Sequence, residues 1–343
     1  MNRKPTIKDV ASLAGVGPMT VSRLLNQSAH VSEVAAARIY SAIEKLGYRP
    51  NEMARALRGQ KSHTIGIIVP YLDDPFFAVC AQAINAVARQ KGYSVILTTS
   101  NEDAGIEYAE AQLMLRRHAA GLIIIPATEG PSRLGLPEFH ATHIVAVDRP
   151  LEDHRCCSVL VENVSGAESA VDHLISKHGH KRIAFAALND HLYTFQARLE
   201  GYTRAMHQAK LTPLPVLHCC TQEAASAALL NALRGPHAPT AIFTANGLTT
   251  HYTLKALLDA GVRIPDDIGL VAFDDFDMAE VLEPRVSVVR QPAQELGRVA
   301  ANLLFDQMAA PEVSRQGAKV VLPVEWVPRN SCGCRVSMPA HPA

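Results

Sequence analysis

The sequence predicts an α/β protein with a small all-α head: three short helices over residues 1–50, followed by a body in which β-strands alternate with amphipathic helices. Three observations lead there. Within residues 1–62, ten Lys and Arg stand against four Asp and Glu, a net of +6, and the other 281 residues hold 23 against 29, a net of −6. The formal net charge of zero thus hides a basic head on an acidic body, the distribution of a polyanion-binding module joined to a soluble carrier. Second, capping residues and a glycine break up the first fifty residues at helical spacing. Third, from Thr64 onward β-branched runs and helical patterns alternate in two successive series, the signature of parallel sheets covered on both faces.

In the head, Thr6 is placed to cap a first helix, Asp9 closes a capping box, and Ile7, Val10, Ala11 and Ala14 face inward. Gly15 permits a tight turn and Val16 is an apolar plug. Gly17 and Pro18 open a second helix over Pro18 to Leu25, proline being favoured at a first helical position. Val21, Leu24 and Leu25 share one face of it, which leaves Met19, Thr20, Ser22 and Arg23 to the outside or the flanks. Two helices around a glycine turn, the second offering an arginine, form a helix-turn-helix. A third helix is expected from Ser32, its cap, to Gly47, with Val34, Ala35, Ile39, Ala42, Ile43 and Leu46 turned inward to close a three-helix core.

The body reads as strands at 64–70, 93–99, 121–126 and 143–148 with helices near 75–91 and 105–118. A second series follows, with strands at 182–187, 215–219, 240–245 and 268–274 and helices near 163–178, 194–209, 222–234 and 247–260. Two such series predict two doubly wound α/β subdomains, with a ligand cleft where the loops leave the C-terminal strand ends.

At 48% apolar and 5% aromatic the composition is ordinary for a chain of two or three domains. There is no run of eighteen apolar residues, and the opening MNRKPTIKDV lacks an apolar signal segment, so a cytoplasmic protein is expected. GxxxxGK[ST], HExxH and GxSxG are absent, and no GxGxxG follows the first strand. The seven cysteines include the adjacent pairs Cys156-Cys157 and Cys219-Cys220, which are poorly placed to chelate one ion or to bridge. Cys332-Gly-Cys334 has a spacing that suits a redox or metal pair, but no other Cys or His cluster is near it in sequence, so free thiols are expected. His178 and His180, in KHGHKR, are expected as solvated loop residues, and neither a metal nor a cofactor is expected.

The literal strings carry more. TIKDVASLAGVGPMTVSRLLN followed by GYRPNEMARALRG resembles the N-terminus of the LacI/GalR family of bacterial repressors at nearly every position. IGIIVPYLDDPFFA, IVAVDRP, RLEGYTRAM, AIFTANGLT and LVAFDDFDMAEVLEPRVSVVRQP extend the likeness over essentially the whole chain, to the periplasmic sugar-binding-protein fold of that family's body. The resemblance implies that the helix bearing Pro18, Met19, Thr20 and Arg23 enters a DNA major groove. Arg23 is then a base contact, since guanine offers two acceptors to a guanidinium. Thr20 and Ser22 lie near phosphates, Thr6 belongs to the same contact set, and Pro18 and Met19 read thymine methyls or shape. Gly17 replaces the serine usual at that cap, which puts one phosphate contact in doubt.

The segment Asn51 to Arg58 resembles the family's hinge helix, with Asn51 and Arg55 in the DNA-contacting set and Ala54 and Leu57 entering the minor groove, where Leu57 wedges a base step. For the body, the likeness implies a small effector, a sugar or sugar acid, held by Asp74, Phe76, Arg149, Arg198, Asn246, Asp274 and Gln291, with Asp148 beside them. Phe77 is expected in the core, and Asp275 as a turn cap. Glu162 stands where aspartate is usual, and Gly247 where the cleft commonly holds an acid. That loss suggests a less hydroxylated or an anionic effector, with Arg149 and Arg198 less neutralised.

The organisation expected is a helix-turn-helix domain at 1–50, a hinge at 51–62, an effector and dimerisation body at 63–335 and a disordered tail at 336–343. The partners expected are a palindromic double-stranded operator, the effector and a second copy of the chain, with no membrane. A periplasmic sugar-binding protein, or a sugar enzyme using Asp148 or Asp274 as base, are the rival readings; the basic head argues against the first.

Overall fold

The computed structural model describes residues 5–25, 30–48, 62–127, 132–151, 156–188, 191–310 and 317–335. The chain divides into two compact units, Met1–Ser62 and His63–Ala343.

The first unit is built on α1 (Ile7–Ala14), α2 (Pro18–Leu25) and α3 (Glu33–Leu46). The Asp9 carboxylate accepts from both the backbone N–H and the hydroxyl of Thr6, at 2.7 Å each, and so fixes the start of α1. Gly15 ends that helix in the left-handed region, at φ 65°, and its successor Val16 donates its N–H to Ala11 O at 3.0 Å. The core is Val10, Ala11, Ala14, Val21, Ile39 and Ala42, with Leu24, Leu25, Ile43 and Leu46 packed against it. Val34, expected inside, is 72% exposed. It lies five residues before Ile39, about 140° away around a helix, whereas Ala35 is about 40° away and turns inward in its place.

The second unit holds two six-stranded sheets. The first comprises β1 (Thr64–Val69), β2 (Ser94–Thr99), β3 (Gly121–Ile124), β4 (His143–Val147), β5 (Cys157–Val161) and β11 (Lys319–Leu322). The second comprises β6 (Ile183–Ala187), β7 (Leu217–His218), β8 (Ala241–Thr244), β9 (Gly269–Phe273), β10 (Ser287–Arg290) and β12 (Glu325–Val327). Their orders, β11-β5-β4-β3-β1-β2 and β12-β10-β9-β8-β6-β7, are the same arrangement repeated, and only β12 runs antiparallel. Central strands such as β1, β4 and β9 are buried along nearly their whole length, as expected of strands covered by helices on both faces.

Helices α4 (Pro75–Gln90), α5 (Ala104–Arg116), α6 (Asn163–Ser176), α7 (Tyr193–Gln208), α8 (Gln222–Arg234) and α9 (Gly247–Asp259) lie within about two residues of the expected spans. The strand expected at 215–219 pairs only over two residues, because it is an edge strand bonded to β6 alone. Four strands and a helix go beyond the sequence reading: β5, β10, β11, β12 and α10 (Ala293–Ala309). With them the chain changes sheet three times, after β5, after β10 and between β11 and β12. Helix α10 thereby returns to the first subdomain, where Leu296, Ala300 and Leu304 join its core.

The string RLEGY is explained by packing. A Cβ at Gly201 would lie 2.2 Å from Val164 O, so α7 can rest against α6 only with glycine there. Tyr202 is fully buried, donates to Ile183 O at 2.9 Å and accepts from Leu214 N–H at 2.9 Å.

All seven cysteines are free. No Cys or His cluster is near Cys332 and Cys334 in sequence, but folding brings His173 and His178 to them from about 160 residues earlier in the chain.

Candidate functional site

On α2 the sequence buries Val21 and presents Met19, 69% exposed, together with exposed Pro18 and Arg23 on the outer side. Thr20 and Ser22 are half-buried flanks of the same face. The helix is held by backbone bonds from Thr20 N–H and Val21 N–H to Gly17 O, at 2.9 and 3.3 Å, so Gly17 serves its capping position without a side chain. The Thr6 hydroxyl is engaged by Asp9, leaving its oxygen lone pairs for any further contact. An exposed arginine and two hydroxyls on one helix face of a basic head suit an acceptor-rich groove. Asn51, Ala54, Arg55 and Leu57 lie outside the described residues.

In the body, the two sheets present the same device at equivalent strand ends. Asp148 follows β4 and Asp274 follows β9, at φ 67° and 79°. Each donates its N–H to the neighbouring strand, to Val159 O and Val289 O respectively, at 2.9 Å. The left-handed region is tolerated by aspartate better than by most residues, yet costs about 1 kcal/mol or more, and such outliers cluster at functional sites. The two carboxylates are thus turned out of their strands by the backbone itself.

The arginines do not stand free. Arg149 is almost fully buried and bidentate to Glu102, at 2.7 and 2.8 Å, with Pro126 O accepting a further bond at 2.8 Å and Asp148 3.4 Å from its Nε. The expectation of an under-neutralised Arg149 is therefore corrected: Glu102, which sequence reasoning missed, supplies its counter-charge. Glu102 sits in a turn at φ 63° and is unremarkable in sequence; only the fold shows its partner. Arg198, 2% exposed, donates Nε–H to Asn163 Oδ1 at 2.8 Å and Nη1–H to Ala245 O at 2.5 Å. Its guanidinium lies 3.7 Å over the Phe273 ring and 3.8 Å from Asp274.

Asp274 also accepts from the Gln291 amide at 2.5 Å and from Gly247 N–H at 3.4 Å, while Gln291 Oε1 and Asp148 Oδ1 are buried with no hydrogen bond. Asp74 caps α4 through Phe76 N–H at 2.9 Å. Burial, then the charge of Asp274, pushes its carboxyl up to about 6. Burial also raises Asp148, against the pull of Arg149 and Arg198. Asp274, Asp148 and Asp74 all act on the Arg198 guanidinium, and Asp148 acts on Arg149 as well.

Asn246 caps α9, its Oδ1 accepting from Thr249 N–H at 2.9 Å and the Thr249 hydroxyl at 2.6 Å. Phe76 is half-buried, edge-on to Phe77 at 5.4 Å, and Phe77 is core as expected. Asp275 is more than a turn cap. Besides the Phe276 N–H at 3.0 Å, it accepts two bonds from Arg329 at 2.9 Å and one from Arg290 at 2.8 Å, which lower its carboxyl against the opposing effect of burial. Two further residues were not anticipated. Tyr193 is raised by burial and by Asp148. Glu107, inside α5, accepts from Ala127 N–H at 2.6 Å and is pushed up to about 7 by burial. Both lack any local sequence signal, since their roles depend on strands far along the chain.

A basic three-helix head with an exposed outer face on its second helix, in one chain with a two-sheet α/β body whose strand ends carry buried charged and polar groups, defines the class of DNA-binding regulators. Residues 6–51 match the profile of bacterial regulatory proteins, lacI family, and residues 171–332 match a periplasmic binding protein-like domain. The ribose operon repressor of Bacillus subtilis is 30% identical over 330 residues, 95% of this chain and 98% of that protein. A LacI family transcriptional regulator of Enterococcus faecium, solved with bound ribose, is 25% identical with a TM-score of 0.67, covering 78% of this chain and 98% of its own. The lac repressor dimer, solved on its operator with the anti-inducer ONPF, shares the fold with a TM-score of 0.83 at 24% identity, over 96% of this chain and 99% of that one. The chain belongs to the lacI family of bacterial regulatory proteins, as a DNA-binding transcriptional repressor. Among the described residues no helix is long and apolar enough to cross a membrane.

Proposed function

We propose that the chain acts in the cytoplasm as a homodimer on a palindromic operator, and that a neutral sugar bound between the two body subdomains releases it. The observation that carries the effector class is the carboxyl-rich polar set at the strand ends: Asp74, Asp148 and Asp274 stand with Arg149 and Arg198, Arg149 is already neutralised by Glu102, and burial favours the uncharged forms of Asp74 and Asp148. Carboxyl groups accept from sugar hydroxyls and, when protonated, donate to them, whereas they give an acidic effector no counter-charge. The names of the relatives, ribose among them, point the same way.

On the DNA side Arg23 reads a base, Thr20, Ser22 and Thr6 sit near phosphates, and Pro18 and Met19 read shape or methyl groups. Asn51, Ala54, Arg55 and Leu57 form the hinge, with Leu57 as the wedge. Dimerisation follows from the half-site reach of a single head. The exposed Leu72, Leu248, Leu258, Met278 and Val281 supply apolar surface for a second copy. Sugar binding closes the cleft and shifts the two subdomains, which alters the spacing of the hinges and so couples sugar and operator affinities by one factor.

Calorimetric titration of the dimer with neutral pentoses and hexoses, and with the corresponding aldonic acids, tests the effector class. Saturable binding of a neutral sugar, with the acid at least tenfold weaker, is expected. Preference for the acid would overturn the assignment.

A further inference from the structure

We propose that His173, His178, Cys332 and Cys334 form a structural zinc site that clasps the C-terminal turn onto the end of α6. The four come from three separate segments. His173 lies in the last turn of α6, His178 in the loop to β6, and the two cysteines in the turn after β12. Their ligand atoms all lie within 4.8 Å of one another.

Four of the six spacings are close to those of a tetrahedral shell, and the remaining two, from Cys332 to Cys334 and to His178, are within 4.8 Å. Zn–N near 2.0–2.1 Å and Zn–S near 2.3 Å place two nitrogens about 3.3 Å apart, a nitrogen and a sulfur about 3.6 Å, and two sulfurs about 3.8 Å. The imidazole Nε2 atoms of His173 and His178 are 3.2 Å apart. Cys334 Sγ is 3.3 Å from His173 Nε2 and 3.4 Å from His178 Nε2, and Cys332 Sγ is 3.7 Å from His173 Nε2.

Hydrogen bonding alone does not account for this convergence. His173 Nε2 is approached by three atoms at once, and a ring nitrogen holds either one hydrogen or one lone pair. One cation at the centre serves all four. A two-sulfur, two-nitrogen tetrahedral set selects zinc among the common divalent ions, and four protein ligands leave no open position, so the role is structural.

The cysteine turn is set by contacts of its own. Gly333 N–H donates to Asn330 O at 2.9 Å, and Asn330 Nδ2 donates to Cys334 O at 3.3 Å. Gly333 adopts φ +100°, and a Cβ there would lie 3.0 Å from His178 Nδ1, so glycine is what lets the turn close on the histidine. His180, which the sequence pairs with His178, is turned away and meets Thr240 Oγ1 at 3.0 Å. Trp326 of β12 lies against His173 with the rings tilted by 52° and their centroids 4.9 Å apart, so the site also abuts the antiparallel strand beside the turn.

The test uses the full chain, tag removed, prepared under reductant with zinc present and freed of loosely held metal by gel filtration. Elemental analysis should find one zinc per protomer, and none in Cys332→Ser/Cys334→Ser. His178→Ala should weaken zinc binding at least tenfold in chelator competition, while His180→Ala should leave it unchanged. Cobalt in place of zinc should show the intense visible bands of a tetrahedral ion with thiolate charge transfer, a readout on the parent chain that holds even if a cysteine variant does not fold. The proposal is overturned by a metal-free parent protein, by equal zinc in the double variant, by the weak spectrum of six-coordinate cobalt, or by a Cys332–Cys334 disulfide that persists under reductant.

Discussion

Replacing Arg198 by methionine removes a buried charge while keeping most of the side-chain volume. The lost interactions are two hydrogen bonds from a charged donor, each about 1.5–3 kcal/mol, and a cation–π contact worth about 2 kcal/mol when desolvated. They are those to Asn163, Ala245 and the Phe273 ring. Attraction to Asp274 at 3.8 Å adds about 4 kcal/mol at an effective dielectric of 20. Against these stands the desolvation of the guanidinium, several kcal/mol, which methionine does not incur. The balance is a loss of about 3–5 kcal/mol, the usual result of removing one partner from a buried pair.

Urea unfolding followed by the fluorescence of Trp326, the single tryptophan and a residue of the same subdomain, reads it directly. Adding Asp274→Asn to Arg198→Met should cost less than the sum of the two single changes, by about 1–3 kcal/mol. A cost below about 1 kcal/mol for the single variant, or strict additivity, would refute the pairing as described.

Glu107 gives a pH test. Burial lifts its carboxyl from 4.5 to about 7. A raised carboxyl stabilises the fold while protonated, fully below the unfolded value and progressively less as pH climbs through the folded one. Glu107→Gln keeps an acceptor for Ala127 N–H and cannot ionise, so its stability relative to the parent should climb by up to about 3 kcal/mol between those values; a flat difference across that range would contradict it. Gly201→Ala drives a methyl to 2.2 Å from Val164 O, so α6 and α7 must part at a cost of about 3 kcal/mol or more, visible as a lower thermal midpoint. Arg23→Ala should cost about 1–3 kcal/mol at a single base position of the operator and little elsewhere, as measured against a panel of single-base variants.

How much of this could be read from the chain varied with how local the cause is. The head was legible almost residue by residue, since the Thr6–Asp9 cap, the Gly15 turn and the inward face of α2 are set within a few positions. Val34 misled because hydrophobicity alone does not place a residue that lies about 140° around the helix from Ile39. In the body, the strand-end aspartates were visible as the repeated VAVD and VAFD, but the three changes of sheet were not. Helix α10, with Leu296, Ala300 and Leu304 at helical spacing, carries a signal that periodicity offers; which sheet it covers does not follow from it. Glu102 opposite Arg149 and His173 beside Cys334 are long-range pairings, and nothing near either residue in sequence announces them.

On the proposed function, the basic head reads a specific duplex and the acidic body governs its grip through a sugar. Fluorescence anisotropy of the protein on a duplex recovered by repeated selection from random-sequence DNA, in competition with unselected duplex at fixed salt, tests this most directly. Affinity for the selected site at least a thousandfold above random, falling when the neutral sugar that binds the cleft is added, is the result predicted. Equal affinity for both duplexes, or a preference that no cleft-binding sugar alters, would contradict it.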